Sequence, residues 1–200
     1  MREIEIRVKL SSDDISLLQS WLKSNAKFKT TVEHTEFYLN NLDKSFFYTS
    51  KTGYKDAKDY LRVRMTEKGD SVCLKRFEID FETGKSKNID EIEYNASNGQ
   101  EAFKLFKALG YTDITDVSKT RDVYDYENYE IVIDNVKGLG FFAEVELKNF
   151  PEDKDIREGF KIIRSFIQKM GFKTYLECKR GYVSMLWNPD FNFTEEITLN

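Results

Sequence analysis

Two hundred residues with 40% hydrophobic side chains, sixteen Phe and eleven Tyr can fill the core of one domain. The 31 Lys and Arg nearly cancel the 35 Asp and Glu, for a net charge of −4, which argues against generic nucleic-acid binding. Two cysteines and a single histidine, His34, argue against a disulfide framework, a CxxC metal site and a histidine-based triad, and no apolar run approaches the roughly 20 residues that cross a bilayer.

In chain order, residues 3–10 alternate strictly, as a strand does. Ile4, Ile6, Val8 and Leu10 take one face; Glu3, Glu5, Arg7 and Lys9 take the other. Ser11 or Ser12 then offers an N-cap for a short helix bearing Ile15, Leu18, Trp21 and Leu22 on one side. Further strands are expected at 32–39, 60–65, 71–77, 89–94, 120–124, 129–134 and 141–148, with a polar loop at 50–59 and a hairpin turn at Glu82, Thr83 and Gly84. A second helix is expected over 100–109 and a third over 153–170, ended by Gly110 and Gly171 in left-handed caps. Residues after Trp187 show no helical period and read as a tail. A weak internal repeat sets Glu3–Arg7 beside Glu144–Lys148 and residues 28–30 beside 172–174.

The polar faces of these strands are nearly all charged, at i, i+2 spacing: Glu3, Glu5, Arg7 and Lys9; Arg62 and Arg64; Glu91 and Glu93; Lys119 and Arg121; Glu144, Glu146 and Lys148. Same-face neighbours on a strand lie about 6.5–7 Å apart. Solvated faces laced with weak ion pairs explain any one strand alone. Several strands side by side make a surface dense in both signs, and a barrel with that surface inside would leave its apolar face for the helices to cover. A polyphosphate with a divalent cation gives such an interior a purpose, since Arg and Lys take phosphoryl oxygens while carboxylates hold a hard cation. No phosphate-binding glycine loop of the Walker type is present: Gly84 and Lys85 lack the upstream glycine.

The N-terminal Glu3, Glu5 and Arg7 resemble the ExExK signature of the CYTH superfamily, the triphosphate tunnel metalloenzymes. The following elements resemble it in the same order: Leu61–Arg64, Leu74 and Lys75, Glu91 and Glu93, Lys119 and Arg121, Asp134, the run from Gly138 to Glu146, and the segment Lys179–Tyr182. The resemblance covers residues 3–186 and is nearest the class IV adenylyl cyclase branch. It implies an α+β fold, a single domain at 1–186 with a tail at 187–200, built as an eight-stranded antiparallel tunnel with a charged interior and helices outside. It implies metal binding, Mg2+ or Mn2+, by Glu3, Glu5, Asp134, Glu144 and Glu146. It implies phosphate binding by Lys9, Arg62, Arg64, Lys75, Lys119, Arg121, Lys179 and Arg180, with Arg7 and Lys9 at the reacting centre. The implied activity is conversion of ATP to cyclic AMP and pyrophosphate; tripolyphosphate or thiamine triphosphate hydrolysis, and triphosphate binding without turnover, are the alternatives. The implied partner is a small-molecule triphosphate, with no nucleic acid and no membrane, in a cytoplasmic protein for which a homodimer is compatible. Two positions depart from the family pattern: Arg7 stands where Lys is usual, and Gly181 stands where the cyclase branch is expected to carry Ser.

Overall fold

The computed structural model describes residues 2–80 and 85–199, and of residues 2, 3, 79, 80 and 85–89 only the backbone. The expected turn at residues 82–84 therefore lies outside the described residues, as does the side chain of Glu3. The elements, in order, are β1 (Arg2–Lys9), α1 (Ser12–Asn25), β2 (Lys27–Asn41), β3 (Phe47–Thr49), β4 (Lys55–Ala57), β5 (Asp59–Thr66), β6 (Asp70–Asp80) and β7 (Lys85–Ala96). They continue with α2 (Gly99–Ala108), β8 (Tyr111–Tyr126), β9 (Tyr129–Val136), β10 (Gly140–Phe150), α3 (Ile156–Lys169), β11 (Thr174–Cys178), α4 (Tyr182–Trp187) and β12 (Thr194–Thr198). The fold is α+β with antiparallel strand pairing.

The chain forms two compact units. The first comprises Met1–Val32, Lys119–Arg180 and Phe193–Asn200, with strand order β12-β11-β1-β10-β9-β8. Its core is the alternating apolar set read from β1, since Ile4, Ile6, Val8 and Leu10 are buried with Ile131, Ile133, Ala143, Val145 and Leu147 of the neighbouring strands. Helices α1 and α3 supply the other layer through Leu18, Leu22, Ile163, Phe166 and Ile167. Burial of each such side chain stabilises by roughly 1.5–3 kcal/mol. Tyr126 and Tyr129 belong to this packing: Phe166 stacks on Tyr129 at 3.8 Å between ring centroids, and Tyr126 lies 5.4 Å away. Gly159 lets α3 approach β1, because a Cβ there would meet the side chain of Ile4. The helix ends follow local chemistry. Ser11 and Asp14 form a capping box at α1, and Asp155 caps α3, which moves its start to Ile156 from the expected 153.

The second unit comprises Glu33–Ser118 and Gly181–Asn192, with strand order β2-β5-β6-β7. Leu39, Leu61, Val63 and Val72 form its core, and Ala102, Phe103 and Phe106 of α2 pack on it. The β3–β4 hairpin lies partly in the stretch expected to be a polar loop. It is held to α4 by Asn188, whose side chain accepts from the Lys55 N–H at 2.7 Å and donates to the Lys55 carbonyl at 2.8 Å.

The segment after Trp187, left without an assigned element by its sequence, contains β12, which pairs with β11 from Thr174 against Thr198 to Cys178 against Thr194, and α4 precedes it. Both are too short to carry a readable period. Among the described residues, the strand order within each unit is that of an open sheet.

Candidate functional site

In the first unit, the strand register converts the sequence alternation into rows of charge. Glu5 of β1 stands opposite Glu146 of β10, Glu146 opposite Glu130 of β9, and Glu130 opposite Asp125 of β8. This acidic row spans four strands. The next row sets Arg7 against Glu144, and the one beyond it contains Lys9, Asp134 and Arg121. Directly opposed side chains have Cβ atoms about 4.5–5.5 Å apart, so one face passes from carboxylates to cations within a few residues.

Ion pairs knit this face together. Arg7 Nε donates to Glu144 Oε1 at 2.7 Å, and its Nη2 lies 3.5 Å from Glu5 Oε1. Arg121 Nη2 donates to Glu144 Oε2 at 2.6 Å and to Asp134 Oδ2 at 2.5 Å, while its Nε donates to Asp134 Oδ1 at 2.6 Å. Lys119 Nζ lies 3.4 Å from Asp134 Oδ2. The order is Glu5, Arg7, Glu144, Arg121, Asp134, Lys119, alternating in sign. Burial by itself would raise the Glu144 carboxyl, but the charges of Arg7, Arg121 and Lys119 outweigh it and hold the group at about 2. Asp134 is fully buried, and pairing with Arg121 and Lys119 offsets the cost of burying its charge. Lys9 is exposed, and among the described residues no carboxylate pairs with it.

The second unit carries a face of its own. Tyr38, Arg62, Cys73 and Glu93 stand in one row across β2, β5, β6 and β7; Glu36, Arg64 and Ser71 stand in the next; Tyr60, Lys75 and Glu91 lie on the other side. Glu36 is 3% exposed. It accepts from Arg64 Nε at 2.8 Å and from the Tyr38 hydroxyl at 2.9 Å, with Arg62 Nη1 3.6 Å away. Burial lowers the Arg62 guanidinium, but Glu36, Tyr38 and Cys73 together outweigh it and leave its proton held more tightly than usual. Burial, reinforced by Glu36, raises the Tyr38 phenol far above its ordinary value. Lys75 pairs with Glu91 at 3.0 Å.

Among the described residues, Cys73, Glu91 and Glu93 bring ligand-type atoms within 4.8 Å of one another. Arg62 and Lys75 stand beside that group, and burial raises the Cys73 thiol to about 11. The site is therefore poorly suited to a hard cation. Glu5, Glu130, Glu144 and Glu146 offer oxygen donors alone, the donor chemistry of Mg2+ or Mn2+. Burial also raises Cys178 to about 11, although Arg7 and Lys9 oppose it. Neither thiol is a thiolate nucleophile near neutral pH.

The first unit thus brings Glu5, Arg7, Lys119, Arg121, Asp134, Glu144 and Glu146 onto one face, with Lys9 beside them. The second unit groups Arg62, Arg64 and Lys75. Lys179 is placed elsewhere: its Nζ pairs with Glu177 and Glu195, each at 2.8 Å, where β11 meets β12. Arg180 Nη1 donates to the Lys179 carbonyl at 3.0 Å. Sequence reasoning missed Glu36 and Glu130. Both had a signal, since Glu36 alternates with Tyr38, and Glu130 with Val132 and Asp134, in the faces of predicted strands.

The family model described as CYTH domain matches residues 1–182. A Methanocaldococcus jannaschii protein named "Putative adenylate cyclase MJ0240" is 30% identical over 185 residues, covering 90% of this chain and 99% of that protein. Among solved structures, the PH1819 protein of Pyrococcus horikoshii OT3 has a TM-score of 0.68 at 23% identity, covering 94% of this chain and 99% of that one. A Hippeastrum protein described as a "putative adenylyl cyclase" with a dominant triphosphatase activity has a TM-score of 0.60 at 16% identity, covering 92% of this chain and 93% of that one. At these identities the solved structures share the fold.

Proposed function

The chain belongs to the CYTH family, and from that premise we propose that it is a metal-dependent enzyme acting on a triphosphate, with conversion of ATP to cyclic AMP and pyrophosphate as its reaction. The observation that carries the reading is the graded face of the first unit, where a row of carboxylates borders Arg7, Lys9, Lys119 and Arg121. Glu5, Glu144 and Glu146, with Asp134 and Glu3, would hold Mg2+ or Mn2+. Bound there, the metal would neutralise phosphate charge and polarise the bond that breaks. Arg121, Lys119 and Lys9, with Arg62, Arg64 and Lys75, are the proposed phosphate ligands; Lys179 and Arg180 are weaker candidates because Lys179 is engaged by two glutamates. We take residues 1–186 as one working domain with the family's eight-stranded tunnel as its active form.

The ion pairs state what substrate must displace. Phosphoryl oxygens compete for the guanidinium N–H groups of Arg7 and Arg121 that hold Glu144 and Asp134, and each carboxylate so released gains a cation as its new partner. Arg7 and Lys9 then face the reacting phosphorus as fixed positive charges, stabilising the negative charge that develops on its oxygens. In the cyclase reaction the ribose 3′-hydroxyl gives its proton to solvent water, its oxygen bonds to the α-phosphorus, and the bond to pyrophosphate breaks.

A second reading, hydrolysis of the triphosphate by water, is favoured by Arg7. Where the family usually has Lys, this chain has a guanidinium that cannot give up its proton. It is also held by Glu144, so it cannot serve as a base for the ribose hydroxyl. Incubation with ATP, tripolyphosphate and thiamine triphosphate, each with Mg2+ or Mn2+, separates the readings. Cyclic AMP supports the first, orthophosphate the second, and tight binding with no product from any substrate removes both.

A further inference from the structure

Arg62 and Arg64 stand two residues apart on one face of β5, about 6.5–7 Å from one another. Their guanidiniums repel where a phosphate chain would need them side by side. Two glutamates offset that repulsion from opposite flanks. Glu36 of β2 is directly opposite Arg64, and Glu93 of β7 lies in the Arg62 row, beyond Cys73. All of these residues belong to the second unit.

The two glutamates hold the pair in different ways. Both oxygens of the buried Glu36 are committed: Oε1 accepts from Arg64 Nε at 2.8 Å, and Oε2 from the Tyr38 hydroxyl at 2.9 Å. Its Oε1 also lies 3.6 Å from Arg62 Nη1. Tyr38 is itself buried, its ring edge-on to Tyr60 at 6.0 Å between centroids, so the hydroxyl that orients Glu36 is fixed by packing. Glu93 is exposed. Its Oε1 accepts from the Ser71 hydroxyl at 2.8 Å and lies 3.7 Å from Arg62 Nη2 and 4.0 Å from Arg64 Nη1. Both of those distances to arginine exceed hydrogen-bonding length, and a loose, exposed pair of this kind is weak and easily exchanged. Glu36 takes Arg64 through Nε, whereas Glu93 approaches the terminal nitrogens of both arginines, the groups that present a fork to phosphoryl oxygens.

We propose that Glu36 is a positioning residue that fixes the Arg62 and Arg64 pair for phosphate, and that Glu93 is a placeholder displaced when phosphoryl oxygens take the terminal nitrogens. The inference rests on the triphosphate reading and deepens it. Glu36 and Glu93 carry the same charge at similar distances from Arg62, so net charge alone gives their removal the same sign: losing either would strengthen anion binding. Positioning by one and competition by the other give opposite signs.

Equilibrium binding of tripolyphosphate to the full chain, with and without Mg2+, tests this. Glu93→Gln should tighten binding severalfold by removing the competitor. Glu36→Gln should weaken it by about tenfold or more, because the pair loses its fixed acceptor. Tyr38→Phe keeps the ring, removes only the hydroxyl that orients Glu36, and should weaken binding severalfold. Affinity is taken for the folded fraction, so a purely structural role for Glu36 would lower the thermal midpoint and leave affinity at the wild-type value. Should Glu36→Gln fail to fold, the opposite signs of Glu93→Gln and Tyr38→Phe decide the matter. Glu36→Gln and Glu93→Gln shifted in the same direction, or an unchanged affinity in Tyr38→Phe, overturns this inference and leaves the triphosphate reading standing. A wild type that binds no tripolyphosphate under either condition overturns both.

Discussion

Replacing Glu144 by Gln removes one negative charge from the centre of the alternating ladder, and the geometry gives the size of the loss. Burial works against the carboxylate, but Arg7, Arg121 and Lys119 hold it at about 2, well below its ordinary 4.5. That difference corresponds to about 3 kcal/mol favouring the charged form in the folded chain. Because the folded value is the depressed one, the contribution is fully present above about 4.5 and is lost as the pH falls toward 2. Glu144→Gln should therefore lower stability by about 3 kcal/mol at neutral pH, with more to come if Arg7 and Arg121 find no substitute acceptor. The difference from wild type should shrink as the pH approaches 2. Urea unfolding of both chains without metal, at several pH values, measures it directly. An unchanged midpoint at pH 7, or a loss that stays constant down to pH 2, would show that the ladder contributes nothing of this kind.

Other outcomes follow from the same geometry. Glu5→Gln should change stability by less than about 1 kcal/mol, because Glu5 is half exposed and its ion pair with Arg7 is long, at 3.5 Å; metal-dependent turnover should nonetheless collapse, and retained turnover removes Glu5 from the metal site. Arg121→Ala and Arg64→Ala should each weaken tripolyphosphate binding by tenfold or more, on the order of 1.5–3 kcal/mol for a lost charge-assisted contact. Calorimetry on these variants beside the exposed Lys161→Ala checks this, and equal losses in all three would reduce the effect to net charge. Tripolyphosphate should raise the thermal midpoint progressively with concentration while orthophosphate at matched ionic strength does far less; equal shifts would indicate generic anion binding. Asn188→Ala removes both hydrogen bonds to the Lys55 backbone and should cost about 1–3 kcal/mol, read as a lower urea midpoint.

The strands and helices with long, regular patterns are legible in the sequence. β1 alternates over eight residues and buries the side predicted; α1 and α3 carry an apolar stripe and a local cap, and Gly110 and Gly171 adopt the positive φ expected after a helix. The charged faces were legible for the same reason, because side-chain period along a strand is a local property. Short elements were not. β3, β4, β11, α4 and β12 have three to six residues each, too few for a period to rise above chance, and contacts outside each element hold them in place. Asn188 holding Lys55, 133 residues away, is such a case.

What the sequence determined by itself is therefore which residues share a strand face and which kind of chemistry that face supports. Which carboxylate meets which cation was decided by tertiary register alone. Arg7 takes Glu144, Arg121 joins Glu144 to Asp134, and Lys179 is drawn off to Glu177 and Glu195. The physical reason is that a one-residue slip between paired strands would exchange every such partner and turn the apolar side chains out of the core. Register is set by packing Ile4, Ile6, Val8 and Val145 against the helices, a constraint assembled from segments more than a hundred residues apart.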